Sequence, residues 1–241
     1  MGKKTKLFLG ISYLLILFAF LYFIFSQIQV SRLNDFSYYK ELQVNIDSYI
    51  GDNLYINLLI FSVISVVWVA LLGFGSPLLI TSGILFGKWI GTLIAVTSMS
   101  FGALILYIIA SFFFKDLVNR ILLKKFSKYI NFFKKNEFYY FFIFRVTGGL
   151  GLPFALQNIL PVIFNMKKIS YFFGSLLGFI PGMFIFVTIG SGINKFIKES
   201  DSFSFIDLFL TREIYLPIIM FVILALVSLV IKNKFFYDKD K

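Results

Sequence analysis

The chain of 241 residues is 59% hydrophobic and 20% aromatic, with a mean hydropathy of +0.88. Soluble domains are about 45–50% apolar, so this composition predicts an integral membrane protein, for which one domain is enough. The net charge of +11 does not indicate nucleic-acid binding, because the basic residues lie in short loops between apolar segments. Without Cys or His the chain has no disulfide, no thiolate or imidazole metal site and no Ser–His hydrolase, and we expect neither cofactor nor enzymatic activity.

The N-terminal part predicts an anchor followed by a surface helix. Three lysines precede an uninterrupted apolar run at residues 7–25, which is long enough to cross a bilayer. No small-residue cleavage site follows, so we expect a retained anchor with a cytoplasmic N-terminus rather than a signal peptide. Residues 26–53 hold two basic and four acidic side chains, and their weak helical periodicity is typical of a helix on the external membrane surface.

A first broken segment covers residues 54–114, where Lys88 is the only charged side chain. Glycines and Pro77 interrupt the apolar pattern at residues 73–77, which predicts a turn. Glycine then recurs at every fourth position, and this spacing predicts a flat helix face for close packing, at Gly83, Gly87 and Gly91.

The segment at residues 115–137 is strongly basic, with seven Lys or Arg against two acidic residues. Its apolar residues recur at helical spacing, which predicts a cytoplasmic amphipathic helix. Such a helix either attracts anionic lipid headgroups or only orients the chain in the membrane, and the pattern leaves both interpretations open.

A second broken segment covers residues 138–166 and combines a charge, glycines, a proline and two side-chain amides at its centre. Gly and Pro release backbone hydrogen bonds, so this stretch must be buried in protein or line a wet cavity. An arginine at the bilayer centre costs at least about 2.5–3.5 kcal/mol, so it is expected to face a partner or a pathway. We predict the tip of a re-entrant hairpin with a transport site whose substrate-binding residues are Arg145, Gly148, Gly149, Pro153, Gln157 and Asn158.

An apolar span follows at residues 169–190, then an acidic loop at residues 191–213 and a last span at residues 214–231 before a basic tail. The first of these spans again carries glycine at every fourth position and a proline. We assign these residues to hairpin geometry and packing rather than to chemistry: Gly174, Gly178, Pro181 and Gly182.

Loop charge predicts the topology. If the basic segment at residues 115–137 is inside and the acidic segment at residues 26–53 is outside, the chain between them must cross an odd number of times. A hairpin that enters and leaves from outside, followed by one span, satisfies this condition, and residues 138–190 repeat the pattern from the cytoplasmic side. We predict an all-α polytopic membrane protein with two opposed re-entrant hairpins, about four transmembrane helices and an inverted repeat. We divide it into an anchor region, a core and a C-terminal region with a cytoplasmic C-terminus: residues 1–53, 54–192 and 193–241.

Two stretches together resemble the motifs of a known family. The first runs from Pro77 through Ser82-Gly83-Ile84-Leu85-Phe86-Gly87-Lys88-Trp89-Ile90-Gly91. The second runs from Arg145 through Pro153-Phe154, Asn158 and Tyr171 to Gly178-Phe179-Ile180-Pro181-Gly182 and ends at Gly190. In this order they resemble the DedA superfamily, in the branch called the SNARE-associated Golgi protein or VTT-domain family, over residues 54–192.

The resemblance implies a polytopic protein with two opposed re-entrant hairpins that moves lipid across a bilayer. In eukaryotic relatives this is phospholipid scrambling, and in bacterial relatives it is translocation of undecaprenyl phosphate or phosphatidylethanolamine. Two features depart from the family pattern. Gly148 and Gly149 occupy the region where many relatives have a proline, and no Asp or Glu occurs at residues 54–114 or 138–197. The second departure argues against proton coupling, because arginine does not titrate.

Arg145 offers a planar fork that matches a phosphate, and backbone N–H groups at the nearby glycines are expected to form an anion nest. A structural alternative is that Arg145 only braces the broken helix ends. We predict lipid translocation in a bacterial cytoplasmic membrane, with phosphate-bearing lipids as partners and homo-oligomerisation left open. A secondary transporter of a small ion or solute and a non-transporting membrane assembly factor are the alternatives.

Overall fold

The computed structural model describes residues 35–71, 73–117 and 133–236, together with five helical residues of the first apolar run: Ser12, Leu15, Phe18, Ala19 and Tyr22. This part of the chain is helical and contains no strand, which confirms the predicted all-α polytopic class. The predicted cytoplasmic helix of the basic segment, apart from its two ends, lies outside the described residues, as does the rest of the anchor.

The described segments form eight α-helices: α1 Phe36–Asp52, α2 Leu54–Ala70, α3 Gly75–Leu117, α4 Glu137–Val146, α5 Phe154–Ile159, α6 Lys168–Glu199, α7 Phe205–Leu210 and α8 Arg212–Phe236. Two 3-10 segments flank α5, at Gly148–Gly151 and Leu160–Phe164. Of the helices described, α3 and α6 are long and apolar enough to cross a membrane, over Gly75–Phe113 and Lys168–Glu199. The axes of α1 and α2 differ by 106°, as expected if α1 lies along a membrane surface and α2 enters it.

Hairpin 1, residues 54–86, consists of α2 and the first part of α3. A hydrogen bond stabilises the turn between them: the Trp68 indole Nε1–H donates to the carbonyl oxygen of Phe74 at 2.8 Å. Pro77 lies in the first turn of α3, where its missing N–H is tolerated. Hairpin 1 ends at Gly87, whose φ of 70° and ψ of 178° break α3 before it continues as a span.

Hairpin 2, residues 137–164, consists of α4, an irregular tip, α5 and the second 3-10 segment. It joins α6 through Asn165, which has a left-handed φ of 46°. The backbone N–H of Lys167 donates to both carboxylate oxygens of Glu137 at 3.3 Å, so the two ends of hairpin 2 meet at the start of α6. Each half of the core is therefore a hairpin followed by a span.

The two spans are the part of α3 that follows Gly87 and the whole of α6, and they run antiparallel to each other. Trp89, just after Gly87 on α3, packs on Phe184 in the middle of α6, and Tyr107, farther along α3, stacks on Tyr171 near the start of α6, with ring centroids 5.4 and 4.4 Å apart. Because each hairpin joins the start of its own span, the hairpins enter from opposite ends. Their tips meet in the middle, where a Cβ built on Gly75 would lie 3.9 Å from the ring of Phe154.

Glycine lets hairpin 1 and α6 approach closely. A Cβ on Gly83 would collide with the carbonyl oxygen of Val187, and one on Gly190 with that of Ile80. A Cβ on Gly91 would lie 2.6 Å from the carbonyl oxygen of Ser82. Any larger residue at these positions would force backbones apart. The four-residue spacing predicted a packing role for Gly83 and Gly91 but not for Gly190.

Packing does not explain two of the predicted glycines. Built Cβ atoms on Gly87 and Gly182 have no atom of the described chain within 4 Å outside their own immediate helix backbone. The packing assignment is therefore wrong for Gly87, which is needed because its backbone lies in a region that only glycine occupies readily. Gly182 is helical and open on its Cβ side, one position after Pro181, which lies inside the unbroken α6.

Candidate functional site

Arg145 lies in the last turn of α4 and is 3% exposed. One terminal nitrogen, Nη2, donates to Asn158 Oδ1 at 2.6 Å and to the Tyr171 hydroxyl at 3.0 Å, and Nη1 donates to Gln157 Oε1 at 3.4 Å. These bonds connect α4 to α5 across the hairpin and to α6 beside it. The arginine cluster, as we call Arg145, Gln157, Asn158 and Tyr171, thus ties hairpin 2 to its span.

Three aromatic rings surround the guanidinium. Its Cζ lies 4.8 Å from the ring centroid of Phe141, 5.6 Å from that of Tyr171 and 4.5 Å from that of Phe179. Phe141 is one turn before Arg145 on α4, whereas the other two rings come from α6. Rings stabilise a desolvated cation through their negative faces, by about 2 kcal/mol at buried sites.

No carboxylate neutralises Arg145 within the described segments, since their ion pairs involve other residues. Its hydrogen-bond acceptors are two amide oxygens and a hydroxyl, all uncharged. The Arg145 Nε–H and the Asn158 side-chain nitrogen are buried and have no hydrogen-bond partner among the described residues. The cluster is therefore a buried positive charge with unused donors.

The tip of hairpin 2 is a left-handed turn held by one side chain. Gly148, Gly149, Leu150 and Gly151 have φ between 56° and 81°, and such a run is favourable only for glycine. Gln157 Nε2 donates to the carbonyl oxygens of Gly148 at 3.0 Å and Leu152 at 2.7 Å. Gln157 therefore holds both the tip and Arg145.

The structure brings together most, but not all, of the predicted site. Gln157, Asn158 and Gly149 lie around Arg145, and a Cβ on Gly149 would collide with the Gln157 side chain. The side of the tip that faces Gln157 presents carbonyl oxygens rather than N–H groups, so that side does not form the expected anion nest. Pro153 is exposed and lies at the start of α5.

Several contributors to the cluster had no assigned role in the sequence prediction. Tyr171 is fully buried, and its hydroxyl also donates to the backbone carbonyl oxygen of Asn158 at 3.3 Å. Phe141 was recognisable by its four-residue spacing from Arg145, but Tyr171 and Phe179 lie 26 and 34 positions away. Gly178, predicted as a packing residue, meets Arg145 itself, because a Cβ there would collide with the Arg145 Cβ. Gly174 packs in the same way on Phe141, where a Cβ would approach the ring to 2.8 Å.

Glu137 is 9% exposed and lies at the base of hairpin 2, where it caps α6. It was counted with the basic loop in the sequence prediction, yet it is the acidic group nearest in sequence to the cluster. Among the described residues, no three acidic side chains come together in a way that would hold a metal ion.

The family comparison matches the same part of the chain. A model of the VTT domain matches residues 57–192, which include all but the first three residues of hairpin 1, the whole of hairpin 2 and most of α6. A comparison with solved structures finds no match. Because more than half of the chain is matched, it belongs to the VTT-domain family, the membrane-protein family of DedA and SNARE-associated Golgi proteins.

Proposed function

We propose that this protein moves phosphate-bearing lipids between the two leaflets of a bacterial cytoplasmic membrane, with Arg145 as the headgroup contact. The observation that carries the proposal is the burial of Arg145 at the hairpin tips without a carboxylate among the described residues. Two opposed broken hairpins that meet at mid-depth are also the arrangement in which many secondary transporters hold substrate.

If Arg145 only joined two helices, the free-energy cost of burying its charge would have no functional benefit. Burying a charge costs several kcal/mol unless partners compensate, and here the partners are three rings and three neutral acceptors, with no opposite charge among the described residues. A phosphate oxygen would supply the missing negative charge. The guanidinium can bind it through Nη1 while Nη2 keeps its 2.6 Å bond to Asn158, and the Nε–H, which points to the other edge of the group, can donate to a separate oxygen.

Access would require the tip to move. The bond from Nη1 to Gln157 is 3.4 Å long, the longest of the three, so it is the one most easily exchanged for a phosphate. Release of Gln157 would also free the carbonyl oxygens of Gly148 and Leu152, and the exposed tip would then open beside the arginine. The chemistry is binding and release, so the role we propose is not enzymatic and uses no cofactor.

The test is reconstitution of the full chain into liposomes that contain fluorescent phosphatidylglycerol or phosphatidylcholine, and separately into liposomes that trap a small solute. We expect lipid movement without solute flux. Arg145→Lys keeps the charge but loses the fork and should lower translocation at least several-fold. Arg145→Gln should lower it further, and most for the anionic lipid.

Two control variants separate charge from bracing. Tyr171→Phe removes one hydrogen bond to Arg145 while keeping the ring and the charge, so translocation should persist at a somewhat lower melting temperature. Arg212→Gln removes an exposed arginine and should change neither. Full activity of a folded Arg145→Gln protein on both lipids would end the headgroup-contact proposal. Solute flux would favour the small-solute transporter, and movement of neither lipid nor solute would favour the assembly factor.

A further inference from the structure

A separate apolar pocket lies at the C-terminal end of α6. It has a volume of about 520 Å³, within the range of about 300–1,000 Å³ typical of ligand pockets. Its wall residues come from α1, the last turns of α6, the following loop and α7, and include Phe36, Tyr39, Phe196, Ile197, Phe203 and Leu208. From Phe179 at the arginine cluster to Ile193 at the pocket is about 20 Å along α6.

The pocket has a buried floor and an exposed mouth. Phe196 at the floor is 5% exposed, and its ring centroid lies 6.2 Å from that of Phe36 and 6.3 Å from that of Phe203. At the mouth, Phe203 and Phe205 are 47% and 68% exposed. None of the residues that line the pocket is charged, so it offers hydrocarbon and aromatic surface to an occupant.

Ion pairs hold the walls together around this pocket. Lys40 on α1 pairs with Asp201 at 3.2 Å, and Lys198 on α6 pairs with Asp47 on α1 at 2.6 Å. These four charged groups lie beside apolar walls, an arrangement expected where a protein meets the boundary between headgroups and hydrocarbon. The neighbouring helix α7 exposes Ile206, Phe209 and Leu210, which places apolar side chains beside the mouth.

We propose that this pocket binds one hydrocarbon chain of a membrane lipid, with the headgroup of that lipid at the lysine-bearing rim. The occupant follows from the lining, which is mostly apolar and uncharged, and from the mouth, which opens beside a surface helix and exposed aromatic rings. A polar solute would find no charged partner within the pocket. The proposal does not depend on translocation at Arg145, because the two sites share no side chain.

The experiment uses the full chain in vesicles of phosphatidylcholine and phosphatidylglycerol that contain one of two photoreactive phosphatidylglycerols. One probe carries a diazirine at the end of an acyl chain and the other carries it on the headgroup. After illumination, adducts are mapped by peptide mass spectrometry. We expect the chain-end probe to label peptides that contain Phe36, Phe196 and Phe203, and the headgroup probe to label near Lys40 and Lys198.

Filling the pocket should remove the chain-end adducts. Ile197→Trp places a larger side chain in the wall, and Leu208→Trp does the same at the mouth if the first variant fails to fold. The matched control is Ile206→Trp on α7, a residue that is 72% exposed and does not line the pocket, which should label as wild type. Melting temperature confirms that each compared variant is folded.

Unchanged chain-end labelling in a folded, filled variant would overturn the proposal, and so would labelling spread evenly over the exposed face of α8. Labelling in Arg145→Gln should equal that of wild type even where translocation is lost. Failure of the proposed function and failure of this inference are therefore distinguishable.

Discussion

The two hairpins have the same plan but differ in chemistry. Hairpin 1 has no charged side chain, turns in the short segment between Ala70 and Gly75, and packs on α6 through glycine. Hairpin 2 contains the buried Arg145, a left-handed tip and two amide side chains that bind within the hairpin. The backbone repeat is thus approximate, and the polar network of the core belongs to one half.

The comparison shows that one arrangement of helices can be stabilised in two ways. Hairpin 1 is held mainly by close backbone approach, which needs small residues, together with the single hydrogen bonds that Trp68 and Asn194 donate to its backbone. Hairpin 2 is held by a network in which Arg145 and Gln157 replace the backbone bonds that the broken tip has lost. A hydrogen-bond network of this kind can exchange partners, whereas a close-packed helix crossing cannot. We therefore propose that the tip of hairpin 2, rather than hairpin 1, moves during translocation.

The comparison requires that the two hairpins enter the membrane from opposite sides, and a test of this topology is the most decisive one. The structure places Asn45 on α1 and Ser204 near Asp201 at the same end of the helices, through the ion pairs of Lys198 and Lys40. In this cysteine-free chain, single cysteines at Asn45 and Ser204 should react with a membrane-impermeant maleimide from outside, and one at Ser127 only from inside. External reaction at Ser127 would rule out the predicted topology.

A large effect is expected where glycine touches the arginine cluster. Gly178→Ala places a Cβ against the Arg145 Cβ and 3.2 Å from the carbonyl oxygen of Phe142, so it should destabilise the protein by about 1–3 kcal/mol, and Gly178→Leu by more. Gly182→Ala, one turn away with open space, should melt like wild type. Equal melting temperatures for both alanine variants in detergent would show that α4 and α6 do not meet as described.

Gly87 should respond differently from Gly178, because its constraint is backbone conformation rather than space. With φ of 70° and ψ of 178°, Gly87→Ala should lower stability by about 1–3 kcal/mol, and Gly87→Leu should cost a similar amount. Gly51→Ala, a helical position with no neighbour within 4 Å of the added Cβ, should be neutral or slightly stabilising. A loss that grew with side-chain size at Gly87 would show packing instead.

The smallest effect concerns the base of hairpin 2. Glu137→Gln removes the charge that faces the N-terminus of α6 and should cost about 0.5–1 kcal/mol in thermal unfolding. Glu199→Gln at the C-terminal end of the same helix should be neutral or slightly stabilising, since a negative charge is unfavourable there. If both variants behaved alike, the contact between Glu137 and Lys167 would have no stabilising role.

Much of the architecture could be predicted from one-dimensional patterns. The break near Pro77, the break after Arg145 and the glycines that face α6 follow from composition and spacing. Lipid cannot form hydrogen bonds with irregular backbone, so a break in a helix is tolerated only where protein covers it. Loop charge predicted which segments share an end, and the described ion pairs place α1 beside the end of α6 accordingly. The side of the membrane that each end faces stays a prediction.

Only the tertiary structure decided what surrounds Arg145. Its partners Tyr171 and Phe179 are 26 and 34 positions away on α6, and no local spacing relates them to Arg145. Packing also separated glycines that look alike in sequence: Gly178 is confined by Arg145, whereas Gly87 is needed for its φ. Hydrophobic and charge patterns specify where a chain enters lipid, but which side chains meet at the hairpin tips depends on how the two halves pack together.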